Sequence, residues 1–443
     1  MSFSATVRSR AYIAAGFALT LGGLSACKND SLLQVTDPDI LNVSDYNTPA
    51  GADPLRLGVI SNFQGAFDGS FVIDTGNLTD EMLASDTFNE RLGINARKSD
   101  PVEANGSGTY SALQKARASA TSVIQIIKTT QPTPAFNRGE LYMIRGYSEM
   151  FLGEEFCSGI PFSSEDGVTR TYGDPLTTTQ VFTTAVASFD SALAIADTSQ
   201  RVKYGAQIGK GRALLSLGRF ADAAAAVAGV PQSFQLLSYH STGAGGGGMW
   251  STTTNGATRY TLTSSEGING LPYLAGHSDP RLPWVASTRT GFNSLFINLP
   301  NQTKYGRYDN AVIDNGIDAQ LTILENTLQA NTQAARQAVY DGLNKLRASG
   351  PPVVPAMTTG APTTQDAAID LLYSERAYWE WLNGHREGDE RNLVRIYKRD
   401  PEKVFPTGAL TLPLVGTYGT GTNIQVPYTE LNNPKFTGCL PGA

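Results

Sequence analysis

The stretch that decides the fold is AQIGKGRALLSLGRFADAAAAVAGVP, which runs from Ala206 to Pro231. Its small and apolar residues have the spacing of an antiparallel helix pair of the tetratricopeptide type. Gly218-Arg219 is expected to form the turn between the helices, with Gly218 and Ala223 at a close helix contact. Because one such pair cannot bury its faces alone, the stretch predicts further helical pairs beside it.

Apolar residues spaced by three and four indicate buried helical faces along much of the remaining chain. The predicted helices are Tyr110–Ile127, Glu140–Phe156, Val181–Ala196, Ile317–Ala330, Thr332–Ala348, Gln365–Asn383 and Glu390–Lys398. The fold class is therefore mostly α, with a helical scaffold over 110–231 and 317–398. Residues 28–57 are polar and contain several prolines, and we expect a tether followed by extended structure there.

Residues 232–316 interrupt the helical pattern. The segment is rich in glycine, threonine, serine and asparagine and carries isolated aromatic residues. Short runs such as Arg259-Tyr260-Thr261-Leu262-Thr263 predict brief strands between turns. We interpret this segment as a loop-rich insert, and inserts of this length in helical proteins are usually functional.

The N-terminus carries the marks of a secretion signal. Arg8 and Arg10 precede an uncharged apolar run that is too short to span a membrane and ends at Leu24-Ser25-Ala26-Cys27. These four residues resemble the lipobox of bacterial lipoproteins, which implies that residues 1–26 are a signal peptide and that Cys27 carries lipid. An ordinary signal peptide with an unmodified cysteine is the alternative.

The charge balance excludes some classes of partner. The signal segment holds two of the 34 basic residues and none of the 40 acidic residues, so the mature chain has a net charge of about −8. This negative charge argues against nucleic acid as a partner and against a polybasic membrane patch. The N-terminal lipid is then the predicted contact with a membrane.

With Cys27 lipidated, two further cysteines remain in an oxidising compartment. A disulfide between Cys157 and Cys439 would hold a C-terminal tail that otherwise frays. We expect this disulfide; two unpaired cysteines are the alternative.

Few catalytic or cofactor motifs are present. Gly243–Gly248 satisfies GxGxxG, the pattern of a dinucleotide-binding loop. Such a loop must follow a strand and open a helix, whereas Met249-Trp250-Ser251 follows here, so a flexible loop is the preferred interpretation. The three histidines are scattered, and no metal cluster or cofactor is predicted. A glycosidase pair of carboxylates is left open, because only the distance between two carboxylates identifies it.

The segment Leu371–Arg386 is dense in aromatic and charged residues. An active site could comprise Glu375, Arg376, Glu380, His385 and Arg386. The preferred alternative is a structural charge network, because Arg376 and Glu380 share a helical face and can form a local ion pair.

This segment also resembles the C-terminal signature of the SusD/RagB lipoproteins. The likeness covers nearly the whole mature chain in the family's order, and one departure is the poorly matched helix Ile317–Ala330. The similar motifs are Ser374-Glu375-Arg376 with Glu380, Gly384-His385-Arg386 and Asp389, the helix Arg138–Phe162, the turn Ser278-Asp279-Pro280-Arg281-Leu282, and Val426-Pro427-Tyr428-Thr429-Glu430 with Asn433-Pro434.

The resemblance implies one SusD-like domain over residues 27–443. It also implies a cell-surface lipoprotein that binds a nutrient, in many members a glycan, and caps a SusC-like TonB-dependent outer-membrane transporter. Lys28 after the lipid cysteine favours the outer membrane. Two other functions stay open from the sequence: a repeat scaffold lipoprotein without a small ligand, and a secreted glycoside hydrolase.

The expected ligand contacts come from aromatic residues of the insert, because sugar C–H faces stack on aromatic rings. Trp250, Tyr260 and Trp284 are the candidates, although Trp284 could equally belong to the core. The loop Asp86–Arg91 is a second candidate, which the resemblance suggests by region and not residue by residue.

Overall fold

The structure is a computed structural model that describes residues 47–102, 104–165, 169–243, 247–254, 258–275, 279–410 and 416–440. The predicted signal peptide, residues 1–26, and Cys27 lie outside the described residues. Thirteen α-helices occur in the described part: α1 Pro49–Ala66, α2 Val72–Leu78, α3 Asn89–Asn95, α4 Ala104–Thr130, α5 Phe136–Glu155, α6 Thr178–Ala194, α7 Gln200–Ser216, α8 Phe220–Val227, α9 Gly248–Thr253, α10 Gly316–Leu328, α11 Gln333–Ser349, α12 Gln365–Trp379 and α13 Arg386–Arg395.

Consecutive helices pack on one another, as in a repeat protein. Helices α4 to α8 form a series in which each contacts the next, and α1 lies against α4. The series continues across the insert, because α8 packs on α10 and α10 packs on α11 and α12. Since each helix covers the apolar face of its neighbour, the mostly helical fold expected from the sequence is confirmed.

The predicted helix pair at 206–231 is α7 and α8. Ala223 is fully buried, and a Cβ at Gly211 would lie 2.5 Å from Cγ1 of Val227, so the two helices approach closely through Gly211 and Ala223. Gly218 has a φ of +71° and lies in the turn, where its nearest neighbour is Ile396. The expectation that Gly218 lies at the helix contact was wrong, because this glycine supplies the left-handed turn.

The N-terminal part of the described chain differs from the sequence expectation. Residues 28–57 were expected to form a tether followed by extended structure. Residues 28–46 lie outside the described residues, and from Pro49 onward the chain is helical as α1. The side chain of Thr48 accepts a hydrogen bond from the Gly51 N–H and caps the helix, and proline occupies the first turn. A π-helical segment, Phe67–Phe71, follows α1 directly.

The strands are short and form five antiparallel pairs within the described residues. The pairs are β1 Met82–Ala84 with β7 Tyr260–Leu262, β2 Ile160–Pro161 with β5 Pro175–Leu176, β3 Ser164–Glu165 with β4 Arg170–Thr171, β6 Gln235–Ser238 with β10 Ala311–Asn315, and β8 Trp284–Arg289 with β9 Leu299–Gln302. The insert is therefore fastened to the N-terminal part by β1–β7. The pair β6–β10 joins the two ends of the insert to each other, and β10 leads directly into α10.

Buried charges fasten the C-terminal helices to the scaffold. The Arg376 guanidinium lies 2.9 Å from Glu325, and the Arg212 guanidinium lies 3.3 Å from Asp318 and 3.2 Å from Asp389. These side chains come from α7, α10, α12 and α13, and all are almost fully buried. Breaking one such pair would leave an unpaired buried charge, so the network holds four helices in one arrangement.

The remaining charged residues of the 371–386 segment are also structural. Glu375 pairs with Arg281 at 2.8 Å and with Arg347 at 2.6 Å. His385 is fully buried and donates from Nε2 to the Ile313 carbonyl at 2.8 Å. Burial, together with the nearby Arg212 charge, lowers the pKa of His385 to about 3. A buried, neutral imidazole of this kind has no access to a substrate.

A disulfide holds the C-terminal tail. The sulfur atoms of Cys157 and Cys439 are bonded across 282 residues, with the Cα atoms 5.8 Å apart. Beside the disulfide, the Leu440 N–H donates to the Ser158 carbonyl at 2.7 Å. The tail is thus joined to the end of α5. Among the described residues, no helix combines the length and hydrophobicity that crossing a bilayer requires.

Candidate functional site

Three chain segments meet beside β1. The Ser85 N–H donates to the Arg259 carbonyl at 2.9 Å, and the Ser85 hydroxyl donates to the Thr258 carbonyl at 2.6 Å. The tip of the β8–β9 hairpin joins them, because the Phe292 N–H donates to the Thr258 carbonyl at 3.1 Å and the Asn293 N–H donates to the Ser85 carbonyl at 3.0 Å. These bonds place residues 85–91, 258–259 and 290–298 next to one another.

A buried carboxylate organises the meeting point. Asp86 accepts hydrogen bonds from the backbone of Thr87 at 2.7 Å and Phe88 at 3.3 Å, which shapes the loop. Its side chain also pairs with the guanidinium of Arg91 and, at 2.9 Å and 3.0 Å, with that of Arg259. The carboxylate is inaccessible to solvent, so its role is to fix the two arginines and not to contact a ligand. This corrects the expectation that Asp86 itself is a contact.

The electrostatics of this arrangement favour the ionised forms. Burial opposes ionisation of Asp86, but the hydrogen bonds from Arg91 and Arg259 outweigh it, and the pKa of Asp86 is lowered. Burial likewise opposes the charge on Arg91, yet the hydrogen bond to Asp86 raises the pKa of Arg91. The carboxylate of Asp86 and the guanidinium of Arg91 therefore remain charged at neutral pH.

Two exposed phenylalanines complete the site. The guanidinium carbons of Arg91 and Arg259 lie 5.0 Å and 4.9 Å from the ring centre of Phe88. Arg259 also lies 3.9 Å from the ring centre of Phe292. Phe88 and Phe292 are 44% and 45% exposed, although burying such rings is normally favourable. We call Phe88, Arg91, Arg259 and Phe292 the aromatic–arginine cluster.

The exposed surface extends along the hairpin tip. Leu295 is 64% exposed and Ile297 is 68% exposed, on the same tip as Phe292. The tip is well ordered by its own hydrogen bonds, since Gly291 donates to the Phe296 carbonyl and Ser294 donates to the Gly291 carbonyl, both at 2.8 Å. An ordered segment that keeps three large apolar side chains in solvent is typical of a binding surface.

The cluster can bind a ligand that has an apolar face and acceptor oxygens. Ring faces of phenylalanine offer van der Waals contact to C–H groups, and guanidinium N–H groups donate to hydroxyl or carboxylate oxygens. Because Asp86 already fixes both arginines, little side-chain entropy is lost when a ligand arrives. No group of three histidine, cysteine or acidic side chains suited to a metal ion occurs among the described residues.

The structure distributes the predicted aromatic residues differently from the expectation. Tyr260 is only 2% exposed, because its strand β7 pairs with β1 and the Arg91 guanidinium lies 5.8 Å from its ring centre. The expectation that Tyr260 stacks on a ligand therefore does not hold in this structure. Arg91, by contrast, is half-buried and belongs to the aromatic–arginine cluster.

Trp250 and Trp284 are half-buried. Trp250 lies on α9, and the Arg307 guanidinium is 5.2 Å from its ring centre. Of the glycine run beside it, Gly247 and Gly248 are fixed by hydrogen bonds to the Arg307 carbonyl and to Asp68, whereas residues 244–246 lie outside the described residues. Trp284 packs partly against the main hydrophobic core. Contact of either tryptophan with a ligand stays a prediction.

Sequence reasoning missed Arg259 and Phe292 as site residues. Both lie in the insert, and Phe292 follows Gly291 in a turn-rich stretch. An exposed aromatic residue at a hairpin tip was the signal that could have identified Phe292. Arg259 had no such signal, because its role depends on a carboxylate 173 residues away in the sequence.

Comparison with known proteins identifies the fold. No protein-family model matches the sequence, and no curated protein matches it. Solved structures do match: 49 chains resemble this one. A SusD superfamily protein from Parabacteroides distasonis is 10% identical with a TM-score of 0.67, covering 91% of this chain and 100% of that chain.

Two further structures match over a similar length. A SusD superfamily protein from Bacteroides thetaiotaomicron is 15% identical with a TM-score of 0.64, covering 89% of this chain and 100% of that chain. A SusD-like carbohydrate binding protein from Bacteroides vulgatus is 12% identical with a TM-score of 0.58, covering 88% and 97%. The chain therefore has the fold of the SusD superfamily.

Proposed function

We propose that this protein is a nutrient-binding lipoprotein of the bacterial cell surface that binds glycan at the aromatic–arginine cluster. The observation that carries the proposal is the pair of half-exposed rings, Phe88 and Phe292, held beside two arginines by one buried carboxylate. The fold supports it, since one structure with this fold is that of a SusD-like carbohydrate binding protein.

The chemistry of the cluster favours binding over hydrolysis. A glycosidase needs two carboxyl groups at the scissile bond, one of them an acid with a raised pKa. The carboxylate at the cluster is Asp86, which is buried, paired with two arginines and has a lowered pKa. It suits the task of positioning arginines and not that of donating a proton to a leaving group.

In this proposal Cys27 anchors the protein in the outer membrane through lipid, and the bound glycan passes to a SusC-like TonB-dependent transporter. The lipobox-like sequence and Lys28 support the anchor, and the transporter is suggested by the resemblance of the sequence motifs to the SusD/RagB lipoproteins. Co-purification of the full-length protein with a transporter from the native outer membrane would test the partnership. A lipoprotein recovered alone after mild cross-linking would contradict it.

The binding role is tested with a panel of oligosaccharides and isothermal titration calorimetry. For a glycan that binds the wild type, Phe88→Ala and Phe292→Ala should each weaken binding by about 1–3 kcal/mol if sugar stacking resembles base stacking. The thermal stability should change little, because both rings are exposed. Tyr428→Ala is the matched control, since Tyr428 is 53% exposed outside the cluster. Binding that survives both phenylalanine variants would remove the cluster from the site, and a wild type that binds no glycan would favour the scaffold alternative.

A further inference from the structure

A cavity separate from the aromatic–arginine cluster lies between the insert and the C-terminal helices. It has a volume of about 250 Å³ and is bordered by β6, the start of α10, the end of α12, the turn 280–283 and the prolines 351–352. Pockets for drug-sized ligands hold about 300–1,000 Å³. This cavity is therefore sized for a single ring rather than for an extended chain.

The walls of the cavity are apolar where a sugar ring would need contact. Phe234, Ile317 and Pro283 line it, and Ile317 is buried while Phe234 is half-buried. Phe234 is held edge-on against Tyr204, with the ring centres 5.3 Å apart. The C–H face of a pyranose ring can pack against such walls without leaving a polar group unsatisfied.

Two residues of the cavity lining have hydrogen-bond donors without an acceptor in the described part of the chain. The Lys304 ammonium donates to the Trp381 carbonyl and, at 2.8 Å, to Oδ1 of Asn383. Within the described residues these two bonds use two of the three N–H groups of Lys304. Nε1 of Trp379 is buried and has no hydrogen-bond partner in the described part of the chain. Both residues line the cavity. An unsatisfied buried donor costs free energy that an acceptor on a ligand would recover.

The charge of the lining points to the same kind of ligand. Burial lowers the pKa of Lys304 to about 8, and the neighbouring Glu380 and Glu81 limit the fall, so the amine is mostly protonated at pH 7. The Glu380 carboxylate is already occupied, because it accepts from Asn315 at 2.8 Å and from Asn383 at 2.8 Å. Arg281 also lines the cavity, but its guanidinium is paired with Asp279 and Glu375. Lys304 is thus the cation that a ligand would meet.

We propose that this cavity is a second binding site, which takes a single carboxylate-bearing sugar ring such as a uronic acid. The carboxylate accepts hydrogen bonds from Lys304 and Trp379, and the ring lies between Phe234, Ile317 and Pro283. The choice of a sugar ring rests on the proposed glycan-binding function, but the two sites share no residue and can therefore be tested separately.

The test compares methyl β-glucuronide with methyl β-glucoside, which differ at one carboxylate. Ligand-observed NMR with the purified mature protein should show binding of the glucuronide and at least about tenfold weaker binding of the glucoside, the ratio expected from loss of one charge-assisted hydrogen bond. Equal binding of the two compounds, or no binding of the glucuronide at concentrations up to about 10 mM, would overturn the proposal.

Two variants assign the binding to this cavity. Lys304→Gln keeps a donor near Asn383 but removes the charge, and it should weaken glucuronide binding by about tenfold. Ser233→Trp fills the cavity from an exposed lining position and should abolish binding without touching the core, so it serves if Lys304→Gln fails to fold. Ser111→Trp, on the exposed side of α4, is the control. Phe88→Ala should leave glucuronide binding unchanged. Loss of glucuronide binding in Phe88→Ala, or unchanged glucuronide binding in Ser233→Trp, would contradict the second site.

Discussion

Oδ2 of Asp68 lies 2.9 Å from Nε2 of His240, and Nδ1 of the same imidazole lies 2.7 Å from the carbonyl oxygen of Asp309. Both ring nitrogens thus face oxygen atoms that accept hydrogen bonds. A neutral imidazole can donate from only one nitrogen, so this geometry is fully satisfied by the doubly protonated, charged form of His240.

This ion pair attaches the insert to the scaffold. Asp68 belongs to the π-helical segment after α1, and its Oδ2 also accepts from the Gly248 N–H at 2.7 Å, at the start of α9. Gly248 passes so close to the backbone of Asp68 that no Cβ could be placed there. One carboxylate therefore holds both His240 and the helix that carries Trp250.

We predict that this ion pair makes stability depend on pH. The hydrogen bond to Asp68 raises the pKa of His240, although burial opposes the shift. The charged imidazole therefore stabilises the folded protein. This stabilisation is fully present below the pKa of histidine in the unfolded chain, about 6.5, and is lost as the pH rises through the raised pKa of the folded protein. His240→Gln should therefore be less stable than the wild type at pH 5.5–6, by about 1 kcal/mol or less after solvent screening, and the difference should shrink above the raised pKa.

Urea denaturation over this pH range measures the effect. Asp68→Asn breaks the same pair from the other side and should lose the same pH dependence. If the stability difference between wild type and His240→Gln is constant from pH 5.5 to 9, the pKa of His240 is the same in the folded and unfolded protein, and the ion pair with Asp68 does not stabilise the charged imidazole.

The disulfide between Cys157 and Cys439 should contribute strongly to stability. It closes a loop of 282 residues and joins the tail to the end of α5. We expect the double variant Cys157→Ser, Cys439→Ser to lose about 2–5 kcal/mol of unfolding free energy. Denaturant titration measures this loss, with the wild type under reducing conditions as the parallel case. Two free thiols in the denatured, unreduced mature protein would show that the disulfide does not form.

The contact between α7 and α8 should tolerate no larger side chain. Ala223 is fully buried opposite Gly211, so Ala223→Leu would overpack the contact and cost about 1–3 kcal/mol. Ala225→Leu is the control, because Ala225 is exposed on the same helix and the substitution adds the same atoms. Equal melting temperatures for the two variants would mean that the packing of this helix pair is misplaced.

The helical scaffold was predictable because its signal is local. The residues that bury a helix recur every three or four positions, and Leu113, Ala116 and Ala120 of α4 all proved to be fully buried. Helix ends were harder to place. The polar composition around residues 28–57 suggested extended chain, but Thr48 and Pro49 begin a helix whose buried residues include Val59 and Phe63.

The partners of buried charges and the candidate site could not be predicted in this way. Arg376 was expected to pair with Glu380 on its own helix, whereas it pairs with Glu325 of α10. The aromatic–arginine cluster likewise depends on β1 pairing with β7, which brings Asp86 to Arg259. The sequence pattern predicts that Tyr260 lies in a strand. Which face of that strand is buried depends on the strand with which it pairs, and the sequence pattern does not show this.

Lipidation at Cys27 is a further prediction. The motif Leu24-Ser25-Ala26-Cys27 follows an apolar run that suits a signal peptide. Mass spectrometry of protein from the native membrane should show an N-terminus at Cys27 with an acyl mass added, and Cys27→Ala should leave the protein unprocessed or released. Ser25→Gly is the control, since it keeps a small residue before the cysteine. Unchanged membrane fractionation of Cys27→Ala would contradict lipid anchoring.

The last prediction concerns Asp86, which holds Arg91 and Arg259 without being accessible to a ligand. Asp86→Asn should release both guanidiniums from the face of Phe88 and weaken glycan binding by about tenfold, as expected when charge-assisted hydrogen bonds that position two donors are lost.

The pH dependence of binding gives a second measurement. Because the pKa of Asp86 is lowered in the folded protein, the contribution of the Asp86 ion pairs to stability is complete above the unfolded pKa of about 3.9 and is lost only as the pH falls through the lower folded pKa. Wild-type affinity should therefore stay constant from pH 7 down to about pH 5, while the variant is weak throughout. Calorimetry at both pH values measures this. Glu90→Gln is the control for net charge, because it removes one negative charge from the first turn of α3, close to Arg91, and leaves Asp86 in place. If Asp86→Asn and Glu90→Gln bind glycan equally well, the net charge of the loop matters and the positioning of the arginines does not.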